Sequence, residues 1–350
     1  MPGFVDLNAI LLALLSAILF GASTPASKAL LGDLTPFQLA GLLYLGAVIG
    51  VSPRLFLERS RGEPPKLDAA NRRRLAGAVL LGGIVGPLLL LLALRVASAA
   101  SVSLLLNLEL AATALIGVVL YREHIGLRGW AGVAGTIGAG SLLAARGGPA
   151  GVAAAALAAG ACVCWGFDNQ LTALIDGMSP ARCTFWKGIV AGVTNLALGV
   201  SLVRLQAEPT TILAALAVGA VSYGASIALH IAAAQRLGAT RTQGIFASAP
   251  FFGAAFSFLV FRESFGGTEL AAGGLFLASV ALLVLERHAH LHQHAADEHL
   301  HSHRHDDGHH AHEHSGLPVH TRHSHWHTHE PLEHAHAHPP DLHHRHVHEK

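Results

Sequence analysis

Ten stretches of about twenty apolar residues follow one another with almost nothing between them. They run over residues 8–31, 36–57, 75–95, 98–120, 128–145, 150–173, 180–203, 211–234, 241–261 and 268–285. A bilayer core is roughly 30 Å thick and takes about 20 residues of helix to cross. Inside it every backbone N–H and C=O must be satisfied within the chain, which leaves helices or a closed barrel. Continuous apolar runs fit helices rather than the alternation of a barrel strand. The expected fold is therefore an all-α membrane protein of ten transmembrane helices. The one long internal connection, Glu58 to Arg74, is polar. The first span has no basic leader and nine similar spans follow it, so it reads as a helix and not as a cleaved signal.

Composition sharpens this through its unevenness. Of 350 residues, 52% are hydrophobic and 13% charged, with mean hydropathy +0.47. Two histidines, His124 and His230, precede residue 286; the other 24 of the 26 follow it. Soluble enzymes, disulfide scaffolds and nucleic-acid-binding domains are poor readings of the apolar body. Its three cysteines, Cys162, Cys164 and Cys183, lie in or beside apolar spans and suggest no disulfide framework. No nucleophile elbow, Walker sequence or kinase sequence is present, so an enzyme and an ATP-driven pump are both disfavoured.

Lys and Arg set the orientation. One side receives Arg54, Arg59, Arg61, Lys66, Arg72, Arg73, Arg74, Arg122, Arg128, Arg182, Arg236 and Arg241. The other receives only Arg95, Arg146, Arg204 and Arg262. This bias predicts both termini in the cytoplasm and a multi-pass protein of a bacterial-type inner membrane.

The body also repeats itself at an offset of 140–145 residues. Phe20-Gly21 corresponds to Trp165-Gly166, and Thr35-Pro36 to Ser179-Pro180. Leu108-Glu109-Leu110 corresponds to Ser248-Ala249-Pro250, and Tyr121-Arg122-Glu123 to Phe261-Arg262-Glu263. Five spans per half is an odd number, so the halves, 8–145 and 150–285, insert in opposite senses. Inverted repeats of this kind characterise secondary transporters, whose substrate sits near midplane between the halves.

On these landmarks the chain resembles the EamA branch of the drug/metabolite transporter superfamily. The resemblance spans about residues 8–285. It implies two five-helix repeats and export of an amino acid, metabolite or other small solute. The turn in the fourth helix departs from the family's Leu-Glu-Pro: the first half keeps Glu109 without the proline, and the second keeps Pro250 with Ala249 at the acid's place. The His-rich end also resembles members associated with nickel and cobalt resistance.

Ionisable groups inside apolar spans default to functional hypotheses. Glu109 lies mid-span and suits proton exchange, or else a structural carboxylate paired to a helix end, Lys28 or Arg241. Asp168 and His230 are ligand types that suit Ni²⁺, Co²⁺ or Zn²⁺, and with Lys187 they are expected near the cytoplasmic ends of their helices. Against this, a lone His is more often simply hydrogen-bonded, and Lys187 and Lys28 are long enough to snorkel. Cys162 and Cys164 read as small buried hydrophobes. The glycines at 129, 132, 135, 138 and 140 read as helix-packing surface.

The tail, 286–350, is expected to be disordered and to bind metal. Its candidate ligands are His288, His290, His292, His294, His299, His301, His303, His305, His309, His310, His312, His314, His323, His325, His327 and His329. Alternate residues of an extended chain point the same way, so each His-X-His offers two imidazoles to one Ni²⁺, Co²⁺, Zn²⁺ or Cu²⁺ ion. A pH sensor and a solubilising appendage are the rival readings.

The reading that follows is a proton-coupled exporter of Ni²⁺ or Co²⁺ with an ion-collecting tail and no required cofactor. Its partners are the cargo and the bilayer, not nucleic acid, and a homodimer is left open. The alternatives are an exporter of a small organic metabolite with an incidental tail, and a membrane-anchored metal store or sensor.

Overall fold

The computed structural model describes residues 7–59, 67–121, 125–175, 178–237, 239–263 and 266–284. In the tail it describes 288–294, 297–303, 323–329 and 332–338. The body is helical throughout. Ten rods follow in chain order, several of them interrupted. Rod 1 is α1 (Leu7–Gly21) and α2 (Ser23–Leu30), and rod 2 is α3 (Pro36–Arg59). Rod 3 is α4 (Ala69–Ala78), a wide-turn segment π1 (Val79–Val85) and α5 (Gly86–Val96). Rod 4 is α6 (Ala99–Leu105) and α7 (Leu108–Tyr121), and rod 5 is α8 (Leu127–Arg146). The second set begins with α9 (Gly148–Ala173) and α10 (Pro180–Leu202). Rod 8 is α11 (Pro209–Val218), π2 (Gly219–Ala225) and α12 (Ser226–Leu237). Rod 9 is α13 (Ala239–Phe246) and α14 (Ala249–Phe261), and rod 10 is α15 (Gly267–Val284).

Among the described residues nine of these rods are long and apolar enough to cross a membrane. The exception to the ten expected is α8, whose twenty residues are diluted by glycine. Those glycines serve packing. A Cβ on Gly132 would lie 2.7 Å from Leu283 Cγ and 2.9 Å from Ser279 O, so α8 lies directly against α15. Arg146 and Glu269 tie the same two helices by an ion pair.

The rod ends are specified locally. Asp68, Ser98 and Ser179 cap α4, α6 and α10 by accepting the N–H of Asn71, Ser101 and Arg182. Proline opens α3, α10 and α11, where its missing N–H costs nothing. Rod 9 ends at Arg262, which takes the left-handed conformation at φ 52°. That turn delivers Glu263 to the start of α6, where its carboxylate accepts the N–H groups of Ala99 (3.1 Å) and Ala100 (3.0 Å). The corresponding Arg122-Glu123 pair lies outside the described residues.

The packing pattern is two-fold. Rod 2 packs on rod 7, rod 5 on rod 10, and rod 4 on rod 9. Rod 2 packs on π2 as rod 7 does on π1; α5 meets α9 as α12 meets α1; α7 meets α9 as α14 meets α1. For these pairs, advancing each rod by five returns the corresponding pair, whereas rod 5 also packs on α7 and α9. The core is rich in small residues such as Ala13, Ala17, Ala158 and Ala161, set beside leucines such as Leu91, Leu94 and Leu105, and Leu11, Val119, Val193, Leu213, Leu259 and Leu277 are each more than half exposed on the outside. An apolar exterior around a small-residue interior is the arrangement a bilayer solvent favours.

In the tail, where no regular structure was expected, the described residues form four strands. β1 (His288–His294) pairs antiparallel with β4 (Leu332–His338), and β2 (Asp297–His303) with β3 (His323–His329). The alternation that offers imidazoles in pairs is also the period of a strand. Its register sets His288, His290 and His292 opposite His338, His336 and His334, and His299, His301 and His303 opposite His327, His325 and His323. His305, His309, His310, His312 and His314 lie outside the described residues.

Candidate functional site

Three rods break at one level. Rod 1 is interrupted at Ala22, rod 4 at Leu106-Asn107 and rod 9 at Ala247-Ser248. The breaks in rods 4 and 9 are related by the repeat offset and are built alike. Each is a short 3₁₀ turn: Glu109 N–H reaches Leu106 O (3.0 Å) and Ser248 N–H reaches Ile245 O (3.1 Å). Around the breaks lies a cleft, partly open to the outside. It is lined by Phe20, Gly21 and Thr24 from rod 1, Leu106, Asn107, Glu109 and Leu110 from rod 4, and Trp165 from α9. Gln243, Phe246, Ala247, Ala249 and Pro250 of rod 9 complete it.

Glu109 is the only ionisable side chain among the described residues that line the cleft. It sits in the first turn of α7, where the helix dipole favours a carboxylate. Its Oε1 accepts Asn169 Nδ2 at 2.9 Å, so its described partner is an amide rather than Lys28, and the Arg241 side chain lies outside the described residues. Asn107 is 1% exposed. Its Nδ2 turns back to Leu104 O at 2.8 Å, and its Oδ1 is buried without a partner. Phe20 stacks in a tilted contact on Phe246, with centroids 5.3 Å apart, and edge-on against Tyr223 at 5.7 Å.

Asp168 and Lys187 meet each other instead of the cleft. Lys187 Nζ donates to Asp168 Oδ1 at 2.7 Å and Oδ2 at 2.6 Å, and Thr172 Oγ1 donates to Oδ1 at 3.1 Å. The pair lies on π1: a Cβ on Gly82 would run into the Asp168 carboxylate. There Pro87 has no N–H to give Gly83 and its ring would crowd that carbonyl, so the turn widens and carbonyls are released. Gly82 O accepts Tyr44 Oη–H (2.6 Å) and Trp165 Nε1–H (3.2 Å), and Gly83 O accepts Asn195 Nδ2 (3.3 Å). Trp165 therefore touches both the cleft and π1.

The other expected site residues are not among the described residues that line the cleft. His230, on α12, packs edge-on against Phe246 at 5.0 Å, with Nδ1 buried and unpartnered. Lys28 caps α5 by donating to Leu94 O and Ala97 O, a favourable place for a cation. The Cys162 thiol donates to Leu105 O and Leu106 O, each at 3.8 Å, as a small hydrophobe with a weak donor does. Among the described residues no group of three or more His, Cys, Asp or Glu is placed to hold a metal.

A model of the EamA-like transporter family matches the chain twice, over residues 7–145 and 152–285. The chain belongs to the EamA-like transporter family. An uncharacterized transporter of Methanothermobacter thermautotrophicus is 25% identical to it over 291 residues, covering 77% of this chain and 83% of the relative. A protein of known crystal structure shares the fold, with TM-score 0.55 and 21% identity over 79% of this chain and 95% of its own. The two family matches coincide with the two sets of five rods, so the cleft of this EamA-like transporter lies between its repeats.

Of the residues that line the cleft, sequence reasoning singled out Glu109 and not Asn107, Thr24, Gln243 or Phe246. It matched Phe20 with Trp165 as a landmark of the repeat without marking either as a lining residue. Asn107, a lone amide in the run from Leu104 to Leu110, was the available signal.

Proposed function

We propose that this transporter is a proton-coupled secondary exporter of a small organic solute, with the central cleft as its cargo site. The observation that carries this is the meeting of three broken rods around one carboxylate. Interrupted helices at the interface of two repeats are how secondary transporters build a binding site, and Glu109 holds the one titratable group among the described residues that line it. Glu109 would exchange its proton for cargo as the repeats rock past each other. With α8 as a tenth crossing, about 30 Å long for its twenty residues, the repeats are inverted and both termini face the cytoplasm.

The cleft's chemistry argues for an organic cargo. Aromatic rings and amides surround a single carboxylate, and Asp168 is engaged by Lys187. A second reading, export of Ni²⁺ or Co²⁺, is favoured by the His-X-His blocks of the tail, which would gather ions at the cytoplasmic face.

The test is reconstitution into liposomes with a trapped pH dye and an imposed proton gradient. Amines, amino acids, Ni²⁺ and Co²⁺ are added singly, to the full chain and to a 1–287 truncation. An organic solute should dissipate the gradient equally well with both, and Glu109→Gln should abolish the response. Undiminished dissipation by that variant removes Glu109 from the mechanism. A response to Ni²⁺ or Co²⁺ alone, weakened by truncation, replaces the organic cargo with the metal.

A further inference from the structure

Resting on the reading of the cleft as the cargo site, we infer that it selects cargo carrying a protonated amine. Three observations converge. First, Asn107 Oδ1 is a buried acceptor that no described residue satisfies. The bond from Nδ2 to Leu104 O fixes which end of the amide is which, because a flipped amide would set two oxygens together. The residue that carries this oxygen is itself one of those lining the cleft. A buried acceptor of this kind is costly until a donor arrives, and it discriminates strongly between ligands with and without one.

Second, the charge of the lining has one sign. Glu109 is negative when ionised, and no Lys, Arg or His is among the described residues that line the cleft. An anionic cargo would meet repulsion from Glu109 and find no cation among these described residues. A desolvated transition-metal ion would find one carboxylate and none of the imidazole or thiolate ligands it prefers. Third, Phe20, Trp165 and Phe246 bring three aromatic rings to the same cleft. Ring faces attract a cation within about 6 Å and also cover an apolar body. A carboxylate, an N–H acceptor and aromatic rings together describe a receptor for an ammonium group on a small apolar frame.

Binding to the purified full chain, with no gradient present, tests this separately from coupling. The probes are phenethylamine, its alcohol counterpart phenethyl alcohol, its acid counterpart 3-phenylpropionate, and the N,N,N-trimethyl derivative of phenethylamine, which keeps the charge and has no N–H. Titration calorimetry should find the amine bound at least about tenfold more tightly than the alcohol or the acid. Asn107→Leu should weaken the amine about tenfold or more and leave the trimethyl derivative within about threefold. Equal affinities across the neutral, anionic and cationic probes, or no binding of any at low millimolar concentration, overturn the inference. So does an Asn107→Leu variant, folded by circular dichroism, that keeps full amine affinity. Amine-selective binding without proton-coupled flux would leave the inference standing and defeat the coupling reading alone.

Discussion

The two repeats build the same neighbourhood twice and fill it with opposite chemistry. Around π1 the second repeat places Asp168 and Lys187, a buried ion pair resting on the Gly82 backbone. By the repeat offsets these positions correspond to Ser23 and Leu43 in the first repeat, which pack beside π2. There the contacts are neutral: Tyr223 sits among Phe20 and Tyr44, and Ser16 and Ser226 exchange hydrogen bonds of 2.8 and 3.0 Å between rods 1 and 8. Symmetric backbones thus carry asymmetric side chains. The repeat is a solution to packing and insertion, which both halves share. The polar groups are free to differ, because only one half need present a given charge to the space between them.

The largest effect should come from converting the charged neighbourhood into the neutral one. Asp168→Ser alone strands Lys187, whose side chain is 14% exposed, and Lys187→Leu alone strands Asp168, at 10%. Breaking a buried pair from one side costs about 3–5 kcal/mol, whereas replacing both partners by residues that pack is often neutral. Each single variant should therefore melt far below the parent, and the double variant should recover most of the loss. Thermal unfolding of purified protein reads this directly. A double variant as unstable as either single one would show that the first repeat's solution cannot be transplanted.

A middle-sized effect tests whether π1 is as constrained as its charged neighbours suggest. Gly82→Ala pushes a methyl into the Asp168 carboxylate, an overpacking of the kind that costs about 1–3 kcal/mol. Its counterpart by the repeat offset is Ser222, buried in π2, and Ser222→Ala should cost less than about 1 kcal/mol. In the Asp168→Ser background the Gly82→Ala penalty should shrink, since the colliding group is gone and residues in contact are coupled. An unchanged penalty would place the strain in the π turn itself.

Much of this was legible beforehand, for reasons that differ by residue. Hydropathy gave the rods, since a span's solvent acts on every residue in it. The offset landmarks gave the repeats, and Glu109 stood out because a carboxylate in an apolar run needs a reason. The Asp168–Lys187 pairing was hidden because their separation of nineteen residues crosses a helix connection, and no local rule brings the two side chains to one face. The contact of Lys28 with the end of α5 was hidden for the same reason. The wide turns were partly legible: Gly86-Pro87 marks π1, while π2 has no proline and follows from close packing of Gly219 and Gly224 on α3. The cleft as a whole was not legible, because it is made by three breaks that meet only in the folded chain.

The smallest effect isolates one hydrogen bond that crosses between the repeats. Tyr44 belongs to the first repeat, yet its hydroxyl donates to Gly82 O at 2.6 Å, beside the second repeat's ion pair. Its ring meanwhile faces Tyr223 at 5.8 Å in the neutral neighbourhood. Tyr44→Phe keeps that ring contact and removes the hydroxyl. Gly82 O retains the indole N–H of Trp165 at 3.2 Å, so the carbonyl is not left bare, and the loss should stay near 0.5–1.5 kcal/mol, about the net worth of one hydrogen bond. Trp165→Phe should cost a similar amount at Gly82 and, because Trp165 also lines the cleft, should weaken cargo binding as Tyr44→Phe does not. Thermal unfolding and phenethylamine titration on both variants separate the two roles. Equal loss of binding in both would mean that the widened turn, and not the indole face, is what the cargo feels.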